Sequence, residues 1–133
     1  VVKTRNAVAF VVNLGAFLTP FMAASLNLGL PAMGRELAIG AAGLSWVASS
    51  FLLAAAVCTV PFGRIADIYG RRRILFWGNV LYTLSSLLSA LSINAPMLVL
   101  SRIFQGIGGA MLFATGMAML TSVFPPGERG RVL

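Results

Sequence analysis

Histidine is absent from this chain of 133 residues, and cysteine occurs once, at Cys58. Those two shortages exclude an intramolecular disulfide and leave no ligand spacing for a metal ion. Cys58 lies inside an apolar run and reads as a small packing residue. Acids are almost as scarce: Glu36, Asp67 and Glu128 are the only three. No two of them are close in sequence and the cysteine has no base near it. The chain therefore offers no catalytic constellation and is read as not an enzyme, with no cofactor. Charge of either sign is short too, at 10% of residues, where a soluble domain carries about 25%. That is too little to coat a soluble protein of this size. The fold class that follows is an all-α integral membrane protein.

What the chain has in abundance is apolar sequence, at 59% of residues. It falls into four runs, each read as a transmembrane helix. The first covers about residues 7–30. Lys3 and Arg5 precede it, as in a signal peptide, but a signal's apolar region is only about 7–15 residues. At the helical rise this run is about 36 Å long, enough to cross a bilayer with some tilt. Pro20 near its middle predicts a kink. Its polar members, Asn13, Thr19, Ser25 and Asn27, are costly against lipid and should face other helices or a wet cavity. A loop over 31–43 follows, with Gly34, Gly40 and Gly43 as helix breakers. The second span covers about 44–64, the third 72–93 and the fourth 97–124. Trp46 and Trp77 mark membrane interfaces. Ser85 and Ser89, four residues apart, share one face of the third span. The turn between spans three and four is read as Asn94, Ala95 and Pro96.

The net charge of +7 is not a nucleic-acid footprint, because the basic residues border apolar spans instead of forming a patch with aromatics among them. Such charge sets orientation. Lys3, Arg5, Arg64, Arg71, Arg72, Arg73, Arg129 and Arg131 fall on one side, and Arg35 alone on the other. That asymmetry predicts both termini and the 63–73 link in the cytoplasm, in a multi-pass protein of the cell membrane.

Two stretches carry more than topology. The first is the link Gly63 to Arg73, G-R-I-A-D-I-Y-G-R-R-R, read as a tight charged turn. Its arginines orient the chain and can bind anionic head groups. That reading leaves Gly63, Asp67 and Gly70 unaccounted for. Asp67 precedes Arg71 by four residues, a spacing that permits an ion pair if the turn is helical; it can also cap a neighbouring helix N-terminus. The second stretch surrounds Arg102, the one charge inside a span, about 9 Å inward from Pro96 at the helical rise. Two readings stand side by side: an arm snorkelling to the outer surface, or a cation lining a water-filled cavity. Gln105 shares its face. Gly106, Gly108, Gly109 and Gly116 follow; the first three are read as helix-packing residues. The spans hold no carboxylate, which excludes a carboxylate proton relay within them.

These two stretches resemble the signatures of the major facilitator superfamily. Gly63, Asp67, Gly70, Arg71 and Arg72 match the motif between its second and third helices, G-x-L-a-D-r-x-G-R-R/K, with Ile68 where a basic residue is usual. Arg102, Gln105, Gly106 and Gly108 match its fourth-helix motif R-x-x-Q-G-x-G-A. Asn27, Leu30 and Pro31 are similar to the first-span motif L-D-x-T-I-V-N-V-A-L-P of the fourteen-span drug–proton antiporter branch, with Met22 in place of its aspartate.

The resemblance implies the N-terminal four-helix portion of a secondary active transporter, a single membrane domain over 1–133. It implies multidrug or small-solute efflux by alternating access. The partners implied are the lipid bilayer, a small-molecule substrate, protons as a candidate coupling ion, and a C-terminal transporter half beyond these residues. Spans one and four then line the substrate path, with Asn27, Arg102 and Gln105 as cavity contacts. Gly63, Asp67, Gly70, Arg71 and Arg72 form a cytoplasmic gate in which Asp67 meets a helix end of the other half. The portion alone is expected not to transport. The alternative is an autonomous four-span protein, either an oligomeric small transporter or a non-transporting membrane partner.

Overall fold

The computed structural model describes residues 2–127 and 130. Glu128, Arg129 and Arg131, which entered the charge argument, lie outside the described residues. The described chain is four helices in hairpin succession: α1 (Val2–Glu36), α2 (Ala41–Tyr69), α3 (Arg71–Ala90) and α4 (Ala95–Val123). Among the described residues, α1, α2 and α4 are long and apolar enough to cross a membrane; α3, with three arginines in its first turn, falls outside that group.

α1 and α2 outrun their apolar runs, two expected loops shrink, and the third connection moves. The loop expected at 31–43 is reduced to residues 37–40, because α1 continues through Pro31 to Glu36. A proline forfeits one backbone hydrogen bond, which does not end a helix whose other bonds are intact. Gly34 and Gly43 are helical, and only Gly40 stands between the helices. The amide of Ile39 donates to the carbonyl of Gly34 at 3.0 Å, and Ala38 between them has φ 51°. This is a Schellman closure with alanine in the left-handed position where glycine is usual.

The 63–73 link is likewise not a loop. α2 runs to Tyr69, α3 starts at Arg71, and Gly70 alone joins them with φ 102° and ψ 123°. A Cβ is strained at that φ, so the one-residue joint requires glycine. The third connection is residues 91–94, ahead of the expected 94–96. Asn94 is the N-cap of α4, its side chain accepting from the amide of Met97 at 2.9 Å, with Pro96 in the first turn. Both favour a helix start.

α4 is the hub. It holds most of the buried residues, among them Leu98, Ala110, Thr115 and Leu120. Its partners fix the directions of the helices. Val47 lies by Arg102, Ala54 by Gly106 and Gly63 by Ala114, so α2 runs parallel to α4. Ser89 lies by Ser101, Gly78 by Met111 and Arg71 by Ala118, so α3 runs antiparallel. α1 is antiparallel as well: Val12 meets Gly116, and the Arg5 guanidinium sits 4.8 Å over the Phe124 ring.

Small residues let α4 hold two neighbours at once. A Cβ on Gly106 would stand 2.5 Å from the Phe51 carbonyl oxygen, and one on Gly108 would stand 2.9 Å from the Tyr82 amide nitrogen. Gly109 is less crowded, its nearest atoms being the Phe51 ring at 3.6 Å.

Candidate functional site

Three polar features stand out on this apolar frame. The first is the joint at Gly70. The Arg71 guanidinium donates through Nε to Asp67 Oδ1 at 3.0 Å, with Nη2 2.9 Å from the same oxygen. Its Nη1 donates to the carbonyl of Ala118 at 2.8 Å. The ion pair at four-residue spacing therefore forms across a helix break. Arg71 thereby ties the end of α2 to the last turns of α4. Arg72 and Arg73 are exposed. Three cations in a first turn oppose the helix dipole, and an acid in the last turns of α2 does so too. The dipole thus does not select this arrangement; the cross-contact of Arg71 to α4 does. A Cβ on Gly63 would stand 3.9 Å from the Ala114 Cβ, an ordinary packing distance.

The second feature is Arg102. Its side chain is 5% exposed, so it does not snorkel. It sits between α2 and α4, away from the residues that line the cleft beside α1. Its Nε donates to the Val47 carbonyl at 3.4 Å, its Nη1 donates to Gln105 Oε1, and its guanidinium lies 4.5 Å over the Phe51 ring. Gln105 in turn donates to Ser86 Oγ at 2.8 Å. Placing an arginine at mid-helix in a membrane costs about 2.5–3.5 kcal/mol on insertion scales. A cation–π contact returns about 0.5–2 kcal/mol and a hydrogen bond to a charged group about 1.5–3 kcal/mol. The local contacts are of the size of the cost, so the arginine is held without a carboxylate. Two hydrogen bonds leave further guanidinium N–H groups able to donate to an acceptor.

The third feature is a cleft of about 250 Å³ between α1, α3 and α4. Asn13, Thr19 and Asn79 supply its polar lining; Val12, Leu112 and Phe113 are among its apolar walls. Asn13, Pro20 and Asn27 recur every seven residues, so they lie close to one stripe of α1. Asn27 is exposed on that stripe, beyond the cleft and about 21 Å from Asn13 at the helical rise.

The structure thus brings Arg102 and Gln105 together and leaves Asn27 apart from both. It also adds contacts that sequence reasoning did not reach. Ser86, Phe51 and the Val47 carbonyl complete the arginine's surroundings, and Ser89 bonds Ser101 at 3.0 Å. The pairing of Ser85 with Ser89 on one face missed these links. Ser86 and Ser89, three apart, are the pair that reaches α4. The available signal was that polar residues at three-residue spacing occur in both helices.

Comparison with known proteins gives a consistent picture. A sequence model of the Major Facilitator Superfamily matches residues 12–133. The riboflavin transporter RibZ of Clostridioides difficile (strain 630) is 28% identical over 131 residues, covering 98% of this chain and 29% of that protein. The multidrug resistance protein Stp of Mycobacterium tuberculosis (strain CDC 1551 / Oshkosh) is 33% identical over 132 residues, 98% of this chain and 25% of its own length. The cephamycin export protein CmcT of Amycolatopsis lactamdurans is 36% identical over 113 residues, 85% of this chain and 23% of its own length. The chain thus spans about a quarter of the length of the curated relatives it matches.

Proposed function

Since the chain belongs to the Major Facilitator Superfamily, we propose that it is the first four helices of a secondary active exporter of small organic solutes. Riboflavin and cephamycin, the solutes named for two relatives, define the class to try first. The four helices are four spans of one membrane domain of the cytoplasmic membrane, with both termini and the Gly70 joint in the cytoplasm. The charge asymmetry supports that orientation.

The observation that carries the reading is the unequal burial of α1 and α4. Half of α4's most apolar window is buried, against 6% for α1. Yet α1 carries exposed asparagines at 13 and 27. Amide side chains are costly against lipid, so that stripe belongs against a wet path or further protein. The substrate path therefore runs between α1 and α4. Asn27 is a contact on its α1 side; Arg102 and Gln105, buried behind α4, form a polar wall that a solute reaches only when α2 and α4 part, where a donor cation suits an acceptor-bearing solute. Gly106, Gly108 and Gly109 hold that wall together. The Gly63, Asp67, Gly70, Arg71 and Arg72 group closes the cytoplasmic side against a C-terminal half during alternating access. Protons are the coupling ion to test; the carboxylates of these helices, Glu36 and Asp67, sit in the last turns of α1 and α2, so a carboxylate deep in the membrane would have to come from elsewhere in the transporter.

The test is efflux of riboflavin and of cytotoxic dyes from cells expressing the full-length protein. Asn27→Leu lowers efflux at unchanged membrane abundance. Equal efflux by the variant and the wild type would remove Asn27 from the path. Transport by the 133-residue chain alone in liposomes would favour the autonomous four-span alternative.

A further inference from the structure

The polar contacts around Arg102 run in one direction. Arg102 Nη1 donates to Gln105 Oε1, Gln105 Nε2 donates to Ser86 Oγ at 2.8 Å, and Ser86 Oγ donates to the Tyr82 carbonyl at 2.8 Å. A guanidinium can only donate and a backbone carbonyl can only accept. Both ends of the relay are therefore fixed, and so is everything between them. The single hydroxyl hydrogen of Ser86 is committed to Tyr82, so its oxygen faces Gln105 as an acceptor. Turning the Gln105 amide over would set its NH₂ group against the guanidinium and its oxygen against the Ser86 lone pairs. Both contacts would then be repulsive.

We propose that Ser86 is a positioning residue: it fixes the orientation of the Gln105 amide and, through it, the direction in which Arg102 presents its free N–H groups. Ser86 lies on α3, outside both stretches of sequence that pointed to transport. It acts across a helix interface, since its relay joins α3 to α4 and reaches α2 through the Arg102–Val47 bond. Ser85, its neighbour, is buried and bonds only its own helix, at the Leu81 carbonyl. Ser85 is therefore the natural control: the same chemistry, the same helix, no link to Gln105.

The role in transport rests on the reading of Arg102 given above; the positioning itself does not. The experiment compares full-length wild type, Ser86→Ala, Ser86→Thr and Ser85→Ala in lipid nanodiscs. Nitrogen-15 spectra of the Gln105 amide and the Arg102 Nε–H give hydrogen-exchange rates for each. Expected is slow exchange in the wild type, Ser86→Thr and Ser85→Ala. In Ser86→Ala, both groups exchange about tenfold faster, as local freeing of a buried hydrogen bond allows. Unchanged exchange in Ser86→Ala, or equal acceleration in Ser85→Ala, overturns the proposal. Riboflavin efflux by Arg102→Ala at the wild-type rate would instead remove the transport role and leave the exchange result standing. A structural defect alone would lower the amount of folded protein in all alanine variants without singling out these two groups.

Discussion

α1 and α4 are both long apolar helices, and their surroundings are opposite. α1 exposes a stripe of large apolar side chains at heptad-like spacing: Phe10, Leu14, Phe17, Phe21 and Leu28. α4 is packed on two sides, and its contact lines are built from Ser101, Gln105, Gly106, Gly108 and Ala110. Apolar character therefore does not decide which helix becomes the core. In a bilayer lipid tails are as apolar as leucine, so side-chain hydrophobicity does not drive helices together. Close backbone approach and hydrogen bonds between helices do. α4 has both, from glycine contacts with α2 and α3 and from the relay at Ser86 and Gln105.

The contrast breaks most visibly at a glycine. Gly106→Val forces a branched side chain against the Phe51 carbonyl, where the added Cβ already stands 2.5 Å away. Backbone cannot yield as a flexible side chain does, so the variant loses about 1–3 kcal/mol, the usual cost of overpacking. Thermal unfolding of the purified full-length protein in detergent reads it as a clear fall in Tm. The counterpart on α1 is Gly15, whose added Cβ meets nothing within 4 Å. Gly15→Val should stay within about 0.5 kcal/mol of wild type, as an uncontacted surface substitution does. An equal loss at both glycines would show that α1 is as tightly held as α4.

A smaller effect separates the tethered end of α4 from ordinary surface charge. Arg71→Gln removes the ion pair to Asp67 and the bond to the Ala118 carbonyl together. A hydrogen bond to a charged group contributes about 1.5–3 kcal/mol when shielded. Here the arginine side chain is 37% exposed, so screening brings the expected loss to about 1 kcal/mol. Asp67→Asn breaks only the ion pair and leaves the bond to α4, so its loss is about half as large or less. If the two variants shift Tm equally, the tie to Ala118 contributes nothing.

Most of the frame was legible in the residues. Four apolar runs divided by short polar breaks read as four helices, and charge scarcity read as membrane. The two signatures at Gly63–Arg73 and Arg102–Gly108 led to the family that the comparison establishes. The joints were less legible, because proline and glycine act differently within long apolar helices. Gly34 and Gly43 read as breakers and Pro31 as the start of a loop, and all three are helical, while Gly70 carries a whole connection alone. Arg102 was the hardest residue to place. Its position along a helix gives a depth and no direction, so snorkelling and cavity lining stood open together. What decided its direction was Phe51, Ser86 and the Val47 carbonyl, contributed by two other helices. Spacing within one helix cannot report partners that only packing brings near.

The smallest effect tests the loosely held side, where α1 turns into α2. Ala38 takes φ 51° in the Schellman closure, a conformation in which a Cβ crowds the backbone and costs about 1–2 kcal/mol. Ala38→Gly removes that cost but adds freedom to the unfolded chain, worth about 0.4–1 kcal/mol in the other direction. The balance is a gain of about 0.5 kcal/mol, read as a small rise in Tm. The hydrogen bond from Ile39 to Gly34 is unaffected, since it is made by backbone alone. A gain here beside a loss at Gly106 would set the two helices at opposite ends of one scale. α4 is crowded enough that an added methyl is harmful, whereas the end of α1 is improved by taking one away. A fall in Tm for Ala38→Gly would mean that the alanine methyl makes a packing contact that outweighs its backbone strain.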